Sequence, residues 1–146
     1  MNPLVDLFPR LSGNEYQITS PKTIDYNCIA WAAGDTQQWW WPSEDLDNDY
    51  WPPGVPRERT QDVIVAAFAT LGYVVCESEE FEAGYEKIAL FADADGPTHA
   101  GRQLANGRWS SKLGKLEDIE HELHDLEGEE YGVVALILKR ASASIA

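Results

Sequence analysis

The chain has 146 residues, 44% of them hydrophobic, and its 25 acidic side chains outnumber 11 basic ones to give a net charge of −14. Length and composition fit one globular domain with a real core and exclude a disordered chain. The charge argues against nucleic acid and anionic membrane surfaces as partners, and leaves basic proteins, peptides and small molecules. The longest apolar run, "YGVVALILK", is strand-sized and far short of the ~20 residues of a membrane span. "MNPLVDLFPR" lacks the basic start and apolar stretch of a signal peptide, and two cysteines make no disulfide framework. A reducing cytoplasm is the expected compartment.

In chain order, residues 1–22 carry Pro3, Pro9, Gly13 and Pro21 and are expected to form an arm on the domain. "TIDYNCIAWAAGD" predicts a short buried helix, capped by Thr23 or Asp25, running through Cys28 and stopping at Gly34. Thr36 to Arg59, rich in proline, acid and tryptophan, predicts a long irregular loop. "TQDVIVAAFATLGY" gives the clearest helix, with Thr60 as cap and Val63, Ile64, Ala67, Phe68 and Leu71 on its apolar face. "YVVCES" and "YEKIALFAD" are strands, and "THAGRQLANGRWSSKL" is a hairpin turning at Asn106-Gly107. Leu116, Ile119, Leu123 and Leu126 predict an acidic helix ended by Gly128. "YGVVALILKR", apolar on both faces, predicts a central strand, and residues 141–146 a frayed tail. The fold class is α+β with a mainly antiparallel sheet.

Cys28 has two readings. At a helix N-terminus, free N–H groups and the helix dipole favour a thiolate, and a backbone N–H can serve an oxyanion. A cysteine beside Ile29 and Trp31 on an apolar face is also an ordinary small core residue. Cys76, within "YVVCES", has only the structural reading. A two-residue turn at Asn106-Gly107 pairs Leu104 with Trp109. It then puts Ala100, Leu104, Trp109 and Leu113 on the core face, and His99, Gly101, Gln103, Ser110 and Lys112 on the other. A bulged turn flips that parity.

With a cysteine opening a buried helix in "DYNCIAW" and a later histidine starting a strand in "THAGRQLANGRWSS", the chain resembles the papain-like superfamily. Within it the chain resembles NlpC-type peptidases and CHAP-type amidases in particular. It also looks like a group of small bacterial proteins with "YNCIAWA", "WWWP" and "SKLG" motifs. The resemblance covers residues 23–113. It implies helices packed on an antiparallel sheet and acyl transfer at an amide or related bond. In that scheme His99 takes the Cys28 proton, the thiolate attacks the carbonyl, and water releases the acyl-enzyme. The Cys28 N–H and a group from Tyr26 or Asn27 would hold the oxyanion. Motif alignment puts the third partner at Ser111, a two-residue turn favours Ser110, and Gln103 competes. Ile29 and Ala30 stand where the family has glycine and serine.

"HELHD" spaces His121 and His124 three apart, not the four of a zinc protease helix, and is better explained as a solvated acidic face. No metal or cofactor motif is present, and "GPTHAG" lacks the lysine of a phosphate-cradling loop. Trp39, Trp40 and Trp41 could line a peptide or sugar groove, or pin their own loop. Two functions follow. One is a small cysteine hydrolase acting on a peptide or small acyl or amide substrate through Cys28 and His99. The other is a non-catalytic acidic protein, of immunity or inhibitor type, that engages a basic partner.

Overall fold

The computed structural model describes residues 3–12, 16–43, 49–113 and 116–141. Two helices begin at side-chain caps. Thr60 accepts from the Val63 amide at the head of α3 (Gln61–Ala69), as its sequence predicts. The earlier helix, α2 (Cys28–Ala33), is capped by Asn27, whose side chain accepts from Ala30. The expected caps Thr23 and Asp25 lie outside it, and Ile24 is exposed. The competition goes to Asn27 because its carbonyl also accepts from the Trp40 amide, while its Nδ2 donates to the Trp40 carbonyl. Gly34, at φ 86°, ends α2 in the left-handed conformation that suits glycine.

The named strands besides two short ones form a seven-stranded sheet: β1 (Gln17–Ser20), β4 (Val74–Cys76), β5 (Tyr85–Asp93), β6 (Gly96–Gln103), β7 (Trp109–Lys112), β8 (Asp118–His121) and β9 (Val133–Ala141). Their spatial order is β1-β8-β7-β6-β5-β9-β4, with every pairing antiparallel. The fold is thus α+β with a large antiparallel sheet. The short parallel pair β2 (Trp39–Trp40) and β3 (Asp49–Tyr50) gives some order to the tryptophan loop, of which residues 44–48 lie outside the described set. No helix of the described residues is long and apolar enough to cross a membrane.

Three expectations are corrected. The segment 116–126 is not a helix but strand β8 followed by a 3-10 turn, Leu123–Leu126. Its polar residues point inward to distant partners: Asp118 accepts from the Tyr26 hydroxyl at 2.6 Å, and His121 meets Ser111 at 2.8 Å. β9 is second from an edge, with β4 outside it, and the middle position belongs to β6. The hairpin turn has three residues instead of two. Gln103 opposes Trp109, Leu104 and Arg108 close the loop, and Gly107 sits at φ 87°. That one-residue slip exchanges the β7 residues between the predicted faces, so that Trp109 and Leu113 join His99 while Ser110 and Lys112 join Ala100.

Each face of the sheet carries its own core. Under α2 and α3 lie Cys28, Ile29, Ile64, Phe68, Ile88, Leu90, Ala100 and Leu138. The opposite face buries Ala89, Phe91, Trp109, Ile119 and Ile137 beneath Leu4, Phe8 and Leu11 from one end of the chain and Leu123 and Leu126 from the other. The N-terminal arm is therefore a folded lid of α1 (Pro3–Leu7) and a 3-10 turn, joined to the sheet through β1. The predicted frayed tail beyond Ala141 lies outside the described residues.

Candidate functional site

Cys28 is the first residue of α2 and is 7% exposed. Burial pushes its thiol up to about 11. The N–H groups of Ala100, Ile29 and Cys28 itself, with the charge of Lys112, pull toward the thiolate but do not win. The helix terminus therefore acts as the sequence suggests, and desolvation outweighs it.

His99 is fully buried on β6. It opposes Phe91, lies edge-on to that ring at 5.2 Å, and stacks flat on Tyr131 with centroids 4.1 Å apart. Phe91 belongs to the core of the face away from the helices, whereas Ala100, the next residue, packs with Cys28. The thiol thus meets the backbone N–H beside His99 while the imidazole points to the other side of the sheet. Among the described residues neither ring nitrogen has a hydrogen-bond partner, so no bond joins His99 to Cys28. Burial, and then neighbouring His121, holds the imidazole well below its usual range.

The candidate third partners separate in the same way. Ser111 shares the His99 face, where the three-residue turn puts it. Its Oγ bonds His121 Nε2 at 2.8 Å, not His99. His121 Nδ1 lies 2.6 Å from the Glu122 carbonyl, so it carries the proton and Nε2 accepts from the serine. Burial lowers His121 to about 4 against the pull of that carbonyl. A Cβ at Gly101 would come within 2.8 Å of Ser111 Oγ, so glycine is required for this serine to sit there. Ser110 faces α2 and accepts from Trp31 Nε1 at 3.1 Å. Gln103 donates to the carbonyls of Glu79 and Gly107.

Above Cys28 opens a cleft of about 330 Å³, walled by Trp39, Trp41, Asp49, Thr98 and Tyr131, with Asn27 at its base. Two of the three loop tryptophans therefore line a groove. Trp39 is tethered by its indole N–H to the Ile24 carbonyl. Trp40 is not a wall: its ring is buried against Tyr50 and its N–H donates to Asp35 at 2.9 Å. Tyr26 is likewise structural, packed between Trp31 and the Lys112 ammonium. Asn27 has both ends of its amide engaged, by α2 and by Trp40. His124, exposed, pairs with Glu79 and Glu127.

Asp49, Thr98 and Tyr131 were not singled out by sequence. Only Tyr131 left a trace there, the glycine-flanked "GEEYG". Gly128 and Gly132 bond to each other across that turn, and a Cβ on Gly132 would reach 2.1 Å from the Ala92 carbonyl. The turn is thereby pressed onto the end of β5, and Tyr131 is carried over His99.

Residues 17–139 match the family model described as a domain of unknown function (DUF7689). No curated protein and no solved structure matches the chain.

Proposed function

The chain belongs to the DUF7689 family, and we propose that it is a non-catalytic acidic binding protein that takes a cationic side chain of a basic partner in the cleft above Cys28. The observation that carries this reading is the thiol's lack of a base: both His99 nitrogens are unpartnered and the ring stacks under Tyr131. A buried thiol titrating at about 11 is a poor nucleophile near neutral pH. The cleft, in contrast, suits recognition. Two tryptophans, a residue type whose ring attracts cations, share its wall with Asp49, whose carboxylate also accepts from Ser43 at 2.7 Å. A net charge of −14 steers a basic partner toward it.

The test is a titration with a short arginine-rich peptide, followed by tryptophan fluorescence. Saturable binding that weakens as salt rises, and weakens about tenfold in Trp41→Ala and in Asp49→Asn, is the expected result. Binding that ignores both substitutions overturns the assignment of the cleft.

A second reading, a papain-like cysteine hydrolase, is favoured by the two orphaned nitrogens of His99. A buried imidazole with no partner is costly, and such groups often have a chemical role. In this reading Tyr131 and the start of β6 rearrange so that the imidazole meets the thiol, with Ser111 as its orienting partner. Iodoacetamide separates the two. A thiol at about 11 instead of an ordinary 9 labels about 100-fold more slowly near pH 8, and Cys28 labelling at the ordinary rate or faster supports the hydrolase.

A further inference from the structure

We propose that a second cleft, at the C-terminal end of α2, binds a small organic carboxylate through Arg102. This site is independent of the one above Cys28. Its chemistry runs against the charge of the chain. With 25 acidic residues against 11 basic, any cleft should be acidic. This one, of about 390 Å³, sets Arg102 and Arg140 against a single carboxylate, Glu86, among the described residues; the Lys87 ammonium is turned to the opposite face and paired with Glu82.

The register explains the gathering. Arg102 on β6 opposes Ile88, and Arg140 on β9 opposes Glu86, two residues earlier on β5. Positions two apart on a strand share a face, so both guanidinium groups stand on the helical side, flanking β5. Each lies over an aromatic ring. Arg102 lies 3.9 Å from the centroid of Trp31, and Arg140 lies 4.6 Å from that of Tyr73.

Their remaining bonds differ. Arg140 donates to Glu86 at 2.6 Å and to the Leu71 carbonyl at 2.9 Å. Lys87 donates to the carbonyls of Ser78 and Glu80. The Arg102 guanidinium makes no hydrogen bond and no ion pair with any described residue. Its only contact of that kind is the Trp31 ring. A half-buried guanidinium with five donors, lying over a ring and facing a cleft, is prepared for an acceptor from outside.

The class of acceptor follows from the walls. A guanidinium fork matches a carboxylate in two parallel bonds. Phe81 and Tyr85, both large and well exposed, border the cleft with Leu104 and would cover an apolar body. Glu86 and the negative field of the chain disfavour a dianion, so a monocarboxylate is preferred over phosphate.

Hippurate, an aromatic monocarboxylate, serves as the probe, titrated calorimetrically into the full chain with inorganic phosphate in a parallel series. Saturable hippurate binding, weakened about tenfold in both Arg102→Met and Arg102→Lys, is the expected result, because lysine keeps the charge and loses the fork. Thermal unfolding checks that each variant is folded. Glu86→Gln, which leaves Arg102 untouched, should tighten binding severalfold by removing the competing carboxylate. The proposal is overturned if hippurate shows no saturation up to about 10 mM, if the Arg102 and Glu86 variants bind as the parent does, or if phosphate binds as tightly as hippurate.

Discussion

On the helical face of the sheet, the polar groups Arg102, Ser110, Lys112 and Asp118 are each held by a side chain, a ring or a carbonyl from the α2 region. On the opposite face, His99, Ser111 and His121 lie under a continuous apolar cover from both ends of the chain. The first face is roofed by helices of six and nine residues. A six-residue helix spans only about 9 Å, so space opens at both of its ends, and both clefts lie there. On the second face burial keeps His99 and His121 neutral. Ligand recognition is thus expected on one side, and a response to acid on the other.

The strongest challenge to this division is to empty both cores. Phe91→Ala on the closed face and Phe68→Ala on the helical face should each cost about 3–5 kcal/mol in urea denaturation. With the sheet between them, the double variant should lose the sum within about 0.5 kcal/mol. Marked coupling would mean that the two cores behave as one.

Acid comes next in size. His121 titrates at about 4 in the fold against 6.5 unfolded, so between those values the unfolded chain binds the extra proton. Stability is full above pH 6.5 and is lost as the pH falls toward 4, by on the order of 3 kcal/mol from this residue. His99 shifts in the same direction and adds to the loss. Unfolding curves at pH 7 and pH 5 measure it, and His121→Gln should flatten the slope. An unchanged slope would show that the closed face is not the acid-sensitive one.

A smaller effect sharpens the helical side. Asn27→Ala removes the α2 cap and both bonds to Trp40, and should cost about 1–2 kcal/mol. It should also loosen Trp39 and Trp41, read as faster quenching of their fluorescence by acrylamide. Loss of stability without a change in quenching would mean that the cap does not organise the cleft.

What was legible in the sequence was local. Thr60, Gly34 and the apolar stripe of α3 act through neighbours within one turn, and they are found as predicted. The face of Ser111 stayed open in the sequence, because Asn106-Gly107 suits a two-residue turn while Ala105, Asn106 and Gly107 also satisfy a three-residue one. What escaped depends on distant partners. The spacing of Leu116, Ile119, Leu123 and Leu126 suits a helix, but Tyr26, 92 positions from Asp118, and Ser111, 10 from His121, turn polar residues inward and favour a strand. For the same reason Trp40 could not be told from Trp39 and Trp41: its burial is decided by Asp35 and Tyr50.

The lid of the closed face has a consequence for the order of synthesis. Leu4, Phe8 and Leu11 leave the ribosome well before Ile119, Leu123 and Leu126, which form part of the surface they cover. Strand β1 likewise waits for β8, about a hundred residues later. At roughly 5–20 residues per second, this segment stays without its partners for about 5–20 s. It is therefore a natural place for a nascent-chain chaperone to bind, and its docking should be among the last steps of folding.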